Sequence, residues 1–130
     1  MVLILLKSLI VNEKVNAMNW NDYRQETKQN VGEFGKLAPD TLQSVVALGG
    51  AAQKIGKLDA KTRELISLAV AVTTRCDGCI SVHSEAAVKA GATEEEIAEA
   101  LSVAVNLNTG AAMVYSSRVL DAVRQVKNKA

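Results

Sequence analysis

Several residue types that usually shape small proteins are scarce in this chain of 130 residues. It has one proline and eight glycines, and aromatic residues make up only 3% of it. This scarcity of proline and glycine disfavours a β fold rich in turns. The apolar residues, 48% of the chain, are mostly Ala, Val, Leu and Ile. Side chains of these types suit closely packed helices.

Neither sign of charge dominates. Fifteen Lys and Arg residues balance fourteen Asp and Glu residues, which leaves a net charge of +1. This balance gives no long-range electrostatic reason to expect binding to nucleic acid or to an anionic membrane surface. One domain is the default expectation at this length. Because so short a chain buries a limited core, association with further copies is one way to bury more.

The N-terminal stretch MVLILLKSLIV is apolar but fits neither a signal peptide nor a membrane span. No positive charge precedes the apolar run, Lys7 interrupts it, and it is too short to cross a bilayer. We expect residues 1–17 to be an N-terminal extension that is disordered, packs on the domain, or lies upstream of a true start at Met18. Residues 18–130 then form the domain.

Helical patterns divide this domain into about six helices, with no convincing pair of strands. The predicted helices cover residues 20–32, 40–55, 61–74, 76–90, 94–108 and 111–126. The helix at 61–74 is apolar on nearly every face after Glu64, which predicts a central, buried helix.

Helix starts and stops carry recognisable signals. The candidate N-terminal caps are Asn19 or Asn21, Asp59, and Thr93 with Glu96 in a capping box. Pro39 fits the first turn of the second helix. Glycines are expected to end the first helix near Gly32 or Gly35, to break the second at Gly49 and Gly50, and to stop the fourth at Gly91.

All the thiols and the only imidazole of the chain lie in RCDGCISVHSE, residues 75–85. Two cysteines are too few for a disulfide-stapled secreted scaffold, so this C-x-x-C in an apparently cytoplasmic chain points to a redox pair or half a metal site. On a helix, Cys76, Cys79 and His83 share one stripe roughly 60° wide. The first helical turn lowers a thiol pKa, and His83 can accept or return a proton.

Other interpretations of these residues exist. The cysteines could be inert core thiols, and His83 an ordinary packed or surface residue. A zinc site would need a fourth ligand, such as Glu64 or Asp77, and three ligands on one helix depart from the usual spacing, so we predict no metal. Glu64 could be a first-turn acid paired outward with Arg63 or Lys61.

The spacing of Glu64, Cys76, Cys79 and His83 is E-x11-C-x2-C-x3-H. It resembles the core of the alkylhydroperoxidase D-like family, within the carboxymuconolactone decarboxylase superfamily, and the resemblance extends over residues 61–101. The resemblance implies an all-α helical bundle and a homo-oligomer, usually a trimer or a hexamer.

The resemblance also implies roles for the four residues. Cys79 would attack the peroxide oxygen as a thiolate, Cys76 would close the disulfide, and His83 with Glu64 would relay the proton. The substrate would be a small-molecule peroxide. No cofactor would be bound, and a dithiol such as dihydrolipoamide, on a lipoyl- or thioredoxin-like protein, would restore the thiols. One departure is Gly78, where founding members carry a second histidine.

Three functions follow from these observations. The favoured one is a thiol-dependent peroxidase or disulfide reductase. The second is the lactone decarboxylase of the superfamily, whose reaction needs acid–base groups and no thiol, and whose members lack the C-x-x-C. The third is a non-enzymatic redox sensor or assembly module. Rapid loss of two thiols with peroxide is expected only for the first and third, and turnover with a dithiol separates those two.

Overall fold

The computed structural model describes residues 18–128, which form five α-helices with no strand among them. The helices are Trp20–Leu37 (α1), Pro39–Ile55 (α2), Ala60–Thr74 (α3), Asp77–Lys89 (α4) and Glu94–Lys127 (α5). Helix α3 is central, because it packs against both α4 and α5, while α1 packs against α4 and α2. The predicted all-α class is confirmed. The expectations for residues 1–17 lie outside the described residues.

The predicted helix starts are confirmed at α1 and α3. The Asn19 side chain accepts hydrogen bonds from the backbone N–H groups of Asn21 and Asp22 before α1. The Asp59 carboxylate accepts one from the Thr62 N–H at 2.7 Å before α3. That hydrogen bond holds the pKa of Asp59 below its usual range. Each cap satisfies an N–H group that the helix itself leaves free.

The starts of α2 and α5 are also confirmed. Pro39 is the first residue of α2, where its fixed backbone angle and missing N–H group cost nothing. Thr93 and Glu96 form the capping box of α5: the Glu96 N–H donates to the Thr93 hydroxyl, and the Thr93 N–H donates to the Glu96 carboxylate.

The predicted end of α1 is wrong, because the helix continues through Gly32 and Gly35 to Leu37. Gly35 is buried, and a Cβ atom there would overlap the Leu42 side chain of α2. Glycine at this position therefore permits close approach of two helices. The helix ends before Ala38, because a residue that precedes proline is disfavoured in the helical region.

The predicted break in α2 at Gly49 and Gly50 is also wrong, because the helix is continuous to Ile55. A glycine inside a helix costs about 1 kcal/mol relative to alanine but keeps its backbone hydrogen bonds. The stop is Gly56, in the left-handed region at φ 67°. Gly91, at φ 79°, follows α4 as predicted.

The two last predicted helices are one helix of 34 residues, α5, so the described count is five rather than six. Gly110 does not interrupt it. The Asn108 amide donates to the Ala104 carbonyl at 2.7 Å and to the Thr73 hydroxyl of α3 at 3.0 Å, which fastens α5 to the central helix. By length and composition α5 could cross a membrane, but a single helix of this kind is weak evidence for a membrane protein.

The core of the described residues is small. Its buried apolar side chains are Leu68, Ala71, Ala87 and Ala104. The predicted burial of α3 is only partly right in a single chain. The helix is central, yet Ile66, Val70 and Val72 stay 49%, 55% and 42% exposed. Three of the four buried apolar side chains of α3, α4 and α5 are thus alanines, and much aliphatic surface is left uncovered.

Candidate active site

The site begins where α3 meets α4, with only two residues between the helices. Arg75 ends α3 in the left-handed conformation, at φ 54° and ψ 47°. Cys76 follows with an extended backbone as the N-terminal cap of α4. A non-glycine residue at positive φ is uncommon, and the left-handed conformation of Arg75 turns the chain abruptly. The first cysteine is thereby set against the end of the central helix.

Cys76 and Cys79 form a disulfide, with Cα atoms 5.2 Å apart. The backbone N–H of Cys79 donates to the Cys76 sulfur at 3.1 Å. The sequence predicts both cysteines in the first helical turn; the structure places Cys76 just before the helix and Cys79 inside it. Free N–H groups and the helix dipole at this end stabilise negative charge, so a reduced sulfur here is favoured as a thiolate.

His83 and Glu64 form the second part of the site. The His83 Nδ1 atom lies 2.7 Å from the Glu64 Oε2 atom, and both side chains are partly buried, at 36% and 21% exposure. A carboxylate accepts only, so Nδ1 carries the proton and Nε2 of the neutral ring is free to act as a base. Cys79 precedes His83 by one turn of α4, where Cβ atoms are about 5–6 Å apart.

The alternative in which Glu64 pairs outward is wrong. Lys61 forms an ion pair with Glu96 of α5 at 2.6 Å, and the Arg63 guanidinium donates to the Leu58 carbonyl. The hydrogen bond between these two side chains of the ion pair raises the pKa of Lys61 and lowers the pKa of Glu96. Both basic neighbours are thus engaged elsewhere, and the Glu64 carboxylate joins α3 to α4.

A cavity of about 300 Å³ opens beside the Glu64–His83 pair. One wall is α3 and the other is the C-terminal part of α2, and Leu58 of the connection between these helices also contributes to the lining. Its lining is Gly49, Ala52, Gln53, Leu58, Arg63, Glu64, Ile66, Ser67 and His83. The sequence patterns do not predict this cavity. Its one signal in the sequence is the Gly49–Gly50 pair, which by itself indicates a break in the helix.

Helix α1 supports the opposite side of α4, and the sequence patterns do not predict this contact either. The Arg24 guanidinium donates to the Ser81 carbonyl at 3.0 Å and pairs with Glu85 at 3.4 Å. A Cβ atom at Gly78 would lie 3.8 Å from the Thr27 methyl group. The position that departs from the resembling family therefore faces α1. No sequence signal links α1 to the cysteines.

The structure joins the four predicted site residues in two pairs, which α4 holds one helical turn apart. Glu64 and His83 share a hydrogen bond, and Cys76 and Cys79 share a covalent one, one turn away. Within residues 18–128, no group of three or more His, Cys, Asp and Glu side chains is placed to hold a metal ion. The catalytic roles of the four residues remain predictions.

The described chain is thus an all-helical domain with a C-x-x-C disulfide at a helix start and a carboxylate–imidazole hydrogen bond one turn along that helix. The family model of the carboxymuconolactone decarboxylase family matches residues 39–122. The chain therefore belongs to the carboxymuconolactone decarboxylase family. This range contains the whole site but not α1.

The chain is also similar to individual proteins. An uncharacterized protein of Haemophilus influenzae is 57% identical over 80% of this chain and 92% of its own length. The crystal structure of a carboxymuconolactone decarboxylase family protein from Legionella pneumophila is similar with a TM-score of 0.65 and 37% identity, over 79% of this chain and 92% of that one. The alkyl hydroperoxide reductase AhpD of Coxiella burnetii is 29% identical over 79% of this chain and 54% of its own.

Proposed function

We propose that the protein is a thiol-dependent peroxidase that reduces a small hydroperoxide with the Cys76–Cys79 dithiol. The observation that carries this proposal is the Glu64–His83 hydrogen bond of 2.7 Å one helical turn from the disulfide. A thiol beside an oriented base is the arrangement that nucleophilic catalysis needs. Similarity to AhpD, whose name states alkyl hydroperoxide reductase activity, supports the same chemistry.

The first step oxidises Cys79. His83 takes the thiol proton, and the thiolate sulfur attacks one peroxide oxygen. The O–O bond breaks, and the sulfur keeps that oxygen as a sulfenic acid, while the other oxygen leaves as an alcohol with the proton that His83 returns. The Glu64 carboxylate stabilises the imidazolium that forms between these two transfers.

The second step closes the disulfide. The Cys76 sulfur attacks the sulfenic sulfur, an S–S bond forms, and water leaves. Immediate closure protects Cys79 from irreversible oxidation. An external dithiol of the dihydrolipoamide type, carried by a partner protein, then reduces the disulfide by thiol–disulfide exchange and becomes a disulfide itself. A reducing compartment such as the cytoplasm would keep that dithiol available.

Two other functions make different predictions. A redox sensor would lose its two thiols to peroxide but would not turn over with a dithiol. A lactone decarboxylase would use Glu64 and His83 as acid and base and would work equally well with both cysteines replaced. The peroxidase is the function that gives all four residues a role in one reaction cycle.

The test is a stopped-flow and mass-spectrometric assay of the reduced protein with hydroperoxides. We expect rapid loss of two thiols, a mass decrease of two hydrogens per chain, and repeated turnover when dihydrolipoamide is supplied. Cys79→Ser should abolish reaction with peroxide. Cys76→Ser should still form a sulfenic acid, which a dimedone probe would trap.

The outcomes separate the three functions. Loss of the two thiols to peroxide, with no repeated turnover when a lipoyl protein, a thioredoxin-like protein or a small dithiol is supplied, would favour the sensor. If peroxide oxidises the two thiols no faster than it oxidises free cysteine, both thiol functions are excluded. Lactone turnover that persists in the double Cys→Ser variant would favour the decarboxylase.

A further inference from the structure

Gly49 is one of two adjacent glycines in α2. It lies inside a continuous helix, where glycine is a poor choice, and its backbone is not in the left-handed region. Close packing does not require it either, because a Cβ atom there would have no neighbour within 4 Å. This contrasts with Gly35, where a Cβ atom would overlap Leu42. Gly32, Gly50 and Gly110 are likewise helical glycines with no neighbour at the Cβ position, but of these four only Gly49 lines the cavity at the Glu64–His83 pair.

The open space beside Gly49 is the cavity at the Glu64–His83 pair. Gly49 and Ala52 present the smallest side chains of α2 to it, one turn apart on the same face. Leu58 and Ile66 supply apolar walls, and the two acid–base residues lie in its lining. A side chain at position 49 would extend into this space, so glycine keeps it open.

We propose that this cavity holds the organic group of the hydroperoxide and that Gly49 determines how large that group can be. At about 300 Å³ the cavity is at the lower end of the range for small-molecule sites, about 300–1,000 Å³. It suits a compact hydrocarbon group rather than a long acyl chain. With its oxygen atoms at His83, which lines the cavity while Cys79 lies one helical turn away, such a substrate would extend its apolar end between Ala52 and Ile66.

This proposal rests on the proposed peroxidase function and concerns its substrate class. The experiment measures the rate of dithiol oxidation for hydrogen peroxide, tert-butyl hydroperoxide, cumene hydroperoxide and a fatty-acid hydroperoxide. The variants are Gly49→Ala and Gly49→Leu. Gly50→Leu is the matched control: it makes the same change at the next position of α2, also has no neighbour within 4 Å, and does not line the cavity.

In Gly49→Leu we expect oxidation by cumene hydroperoxide to slow by about tenfold or more, the scale of one or more methylene groups in a pocket. Gly49→Ala should have a smaller effect. Hydrogen peroxide, which has no organic group, should react nearly as with the wild type. Gly50→Leu should leave every rate unchanged. Wild-type protein should react more slowly with the fatty-acid hydroperoxide than with cumene hydroperoxide.

Several results would overturn the proposal. Equal slowing of hydrogen peroxide and cumene hydroperoxide, or no slowing of either, would show that position 49 does not select substrates. Slower reduction of the disulfide by dihydrolipoamide, with oxidation unchanged, would assign the cavity to the reductant. A changed molar mass of Gly49→Leu in light scattering would assign the space to contact between chains. Failure of every peroxide with the wild type would overturn the peroxidase function as well.

Discussion

In the proposed mechanism, Glu64 fixes the tautomer in which His83 can act as a base. The carboxylate accepts a hydrogen bond from Nδ1–H, with 2.7 Å between Nδ1 and Oε2, which leaves the lone pair of the neutral ring on Nε2. Glu64 is partly buried among apolar neighbours, where an unpaired carboxylate would be costly. One hydrogen bond therefore offsets the cost of burying the acid and orients the base.

The relay is tested by Glu64→Gln and His83→Gln. Each should slow thiol oxidation by peroxide at pH 7 by about 10²-fold or more, the usual contribution of general acid–base help. Since the two act as a unit, the double variant should be little slower than the worse single one. The differences should shrink at high pH, where Cys79 ionises without help. Wild-type rates in both single variants at pH 7 would contradict the relay.

At the scale of elements, the Lys61–Glu96 pair ties the first turn of α3 to the first turn of α5. The Lys61 hydrogen bond holds the pKa of Glu96 below its usual range. A carboxylate with a lowered folded-state pKa stabilises the fold at neutral pH, and this contribution is lost as the pH falls through that pKa. The same bond raises the pKa of Lys61, so the pair also weakens at strongly alkaline pH.

Glu96→Gln should therefore lower the Tm at pH 7, and the difference from wild type should shrink as the pH falls below about 4.3, the ordinary pKa of glutamate. Glutamine can still complete the capping box with Thr93, so the substitution tests the charge. Glu99→Gln, at an exposed position of the same helix, is the control. A difference in Tm that stays constant from pH 7 to pH 3 would show that the ion pair does not contribute.

Two glycines of α1 should respond to alanine with opposite signs. A Cβ atom at Gly32 would have no neighbour within 4 Å, so Gly32→Ala should raise the free energy of unfolding by about 0.5–1 kcal/mol through helix propensity. Gly35→Ala should lower it by about 1 kcal/mol or more, because Leu42 must move. Urea unfolding measures both. Equal stabilisation by the two substitutions would show that α1 and α2 do not approach closely at Gly35.

At the scale of the whole molecule, the described chain leaves an unusual amount of aliphatic surface uncovered. Helix α2 has no buried residue, and Leu48 and Ile55 are 76% and 74% exposed. On α5, Met113 and Val126 are 72% and 71% exposed. Surface patches of this kind mark contacts with other molecules. We propose that further copies of the chain cover them.

Light scattering should accordingly give a molar mass of several chains at micromolar concentration, without detergent. Val119→Glu, on the apolar face of α5, should weaken the assembly, because a buried carboxylate without a partner is costly. Gln125→Glu, at an exposed position one turn from Asp121 of the same helix, is the control. A monomer at micromolar concentration, or a protein that needs detergent and inserts into vesicles through α5, would contradict the homo-oligomer.

Local pattern was sufficient for much of this fold. Asn19, Asp59 and Thr93 start helices where their side chains can accept the free N–H groups, which depends on neighbours a few residues away. Helical phase likewise placed Cys79 and His83 one turn apart. The family resemblance pointed to Glu64 through its spacing. Each of these features depends on residues at a fixed spacing within one stretch of the sequence, so it can be recognised before the fold is known.

Packing decided the rest. Gly35 lies inside α1 because α2 passes close to it, whereas Gly49 and Gly110 lie inside helices with open space beside them. The local sequence does not predict which of these glycines is closely packed and which has open space beside it. Three features join residues far apart in the chain: the Glu64–His83 hydrogen bond, the contact of Arg24 with α4, and the cavity between α2 and α3. Such contacts exist only once the helices are assembled.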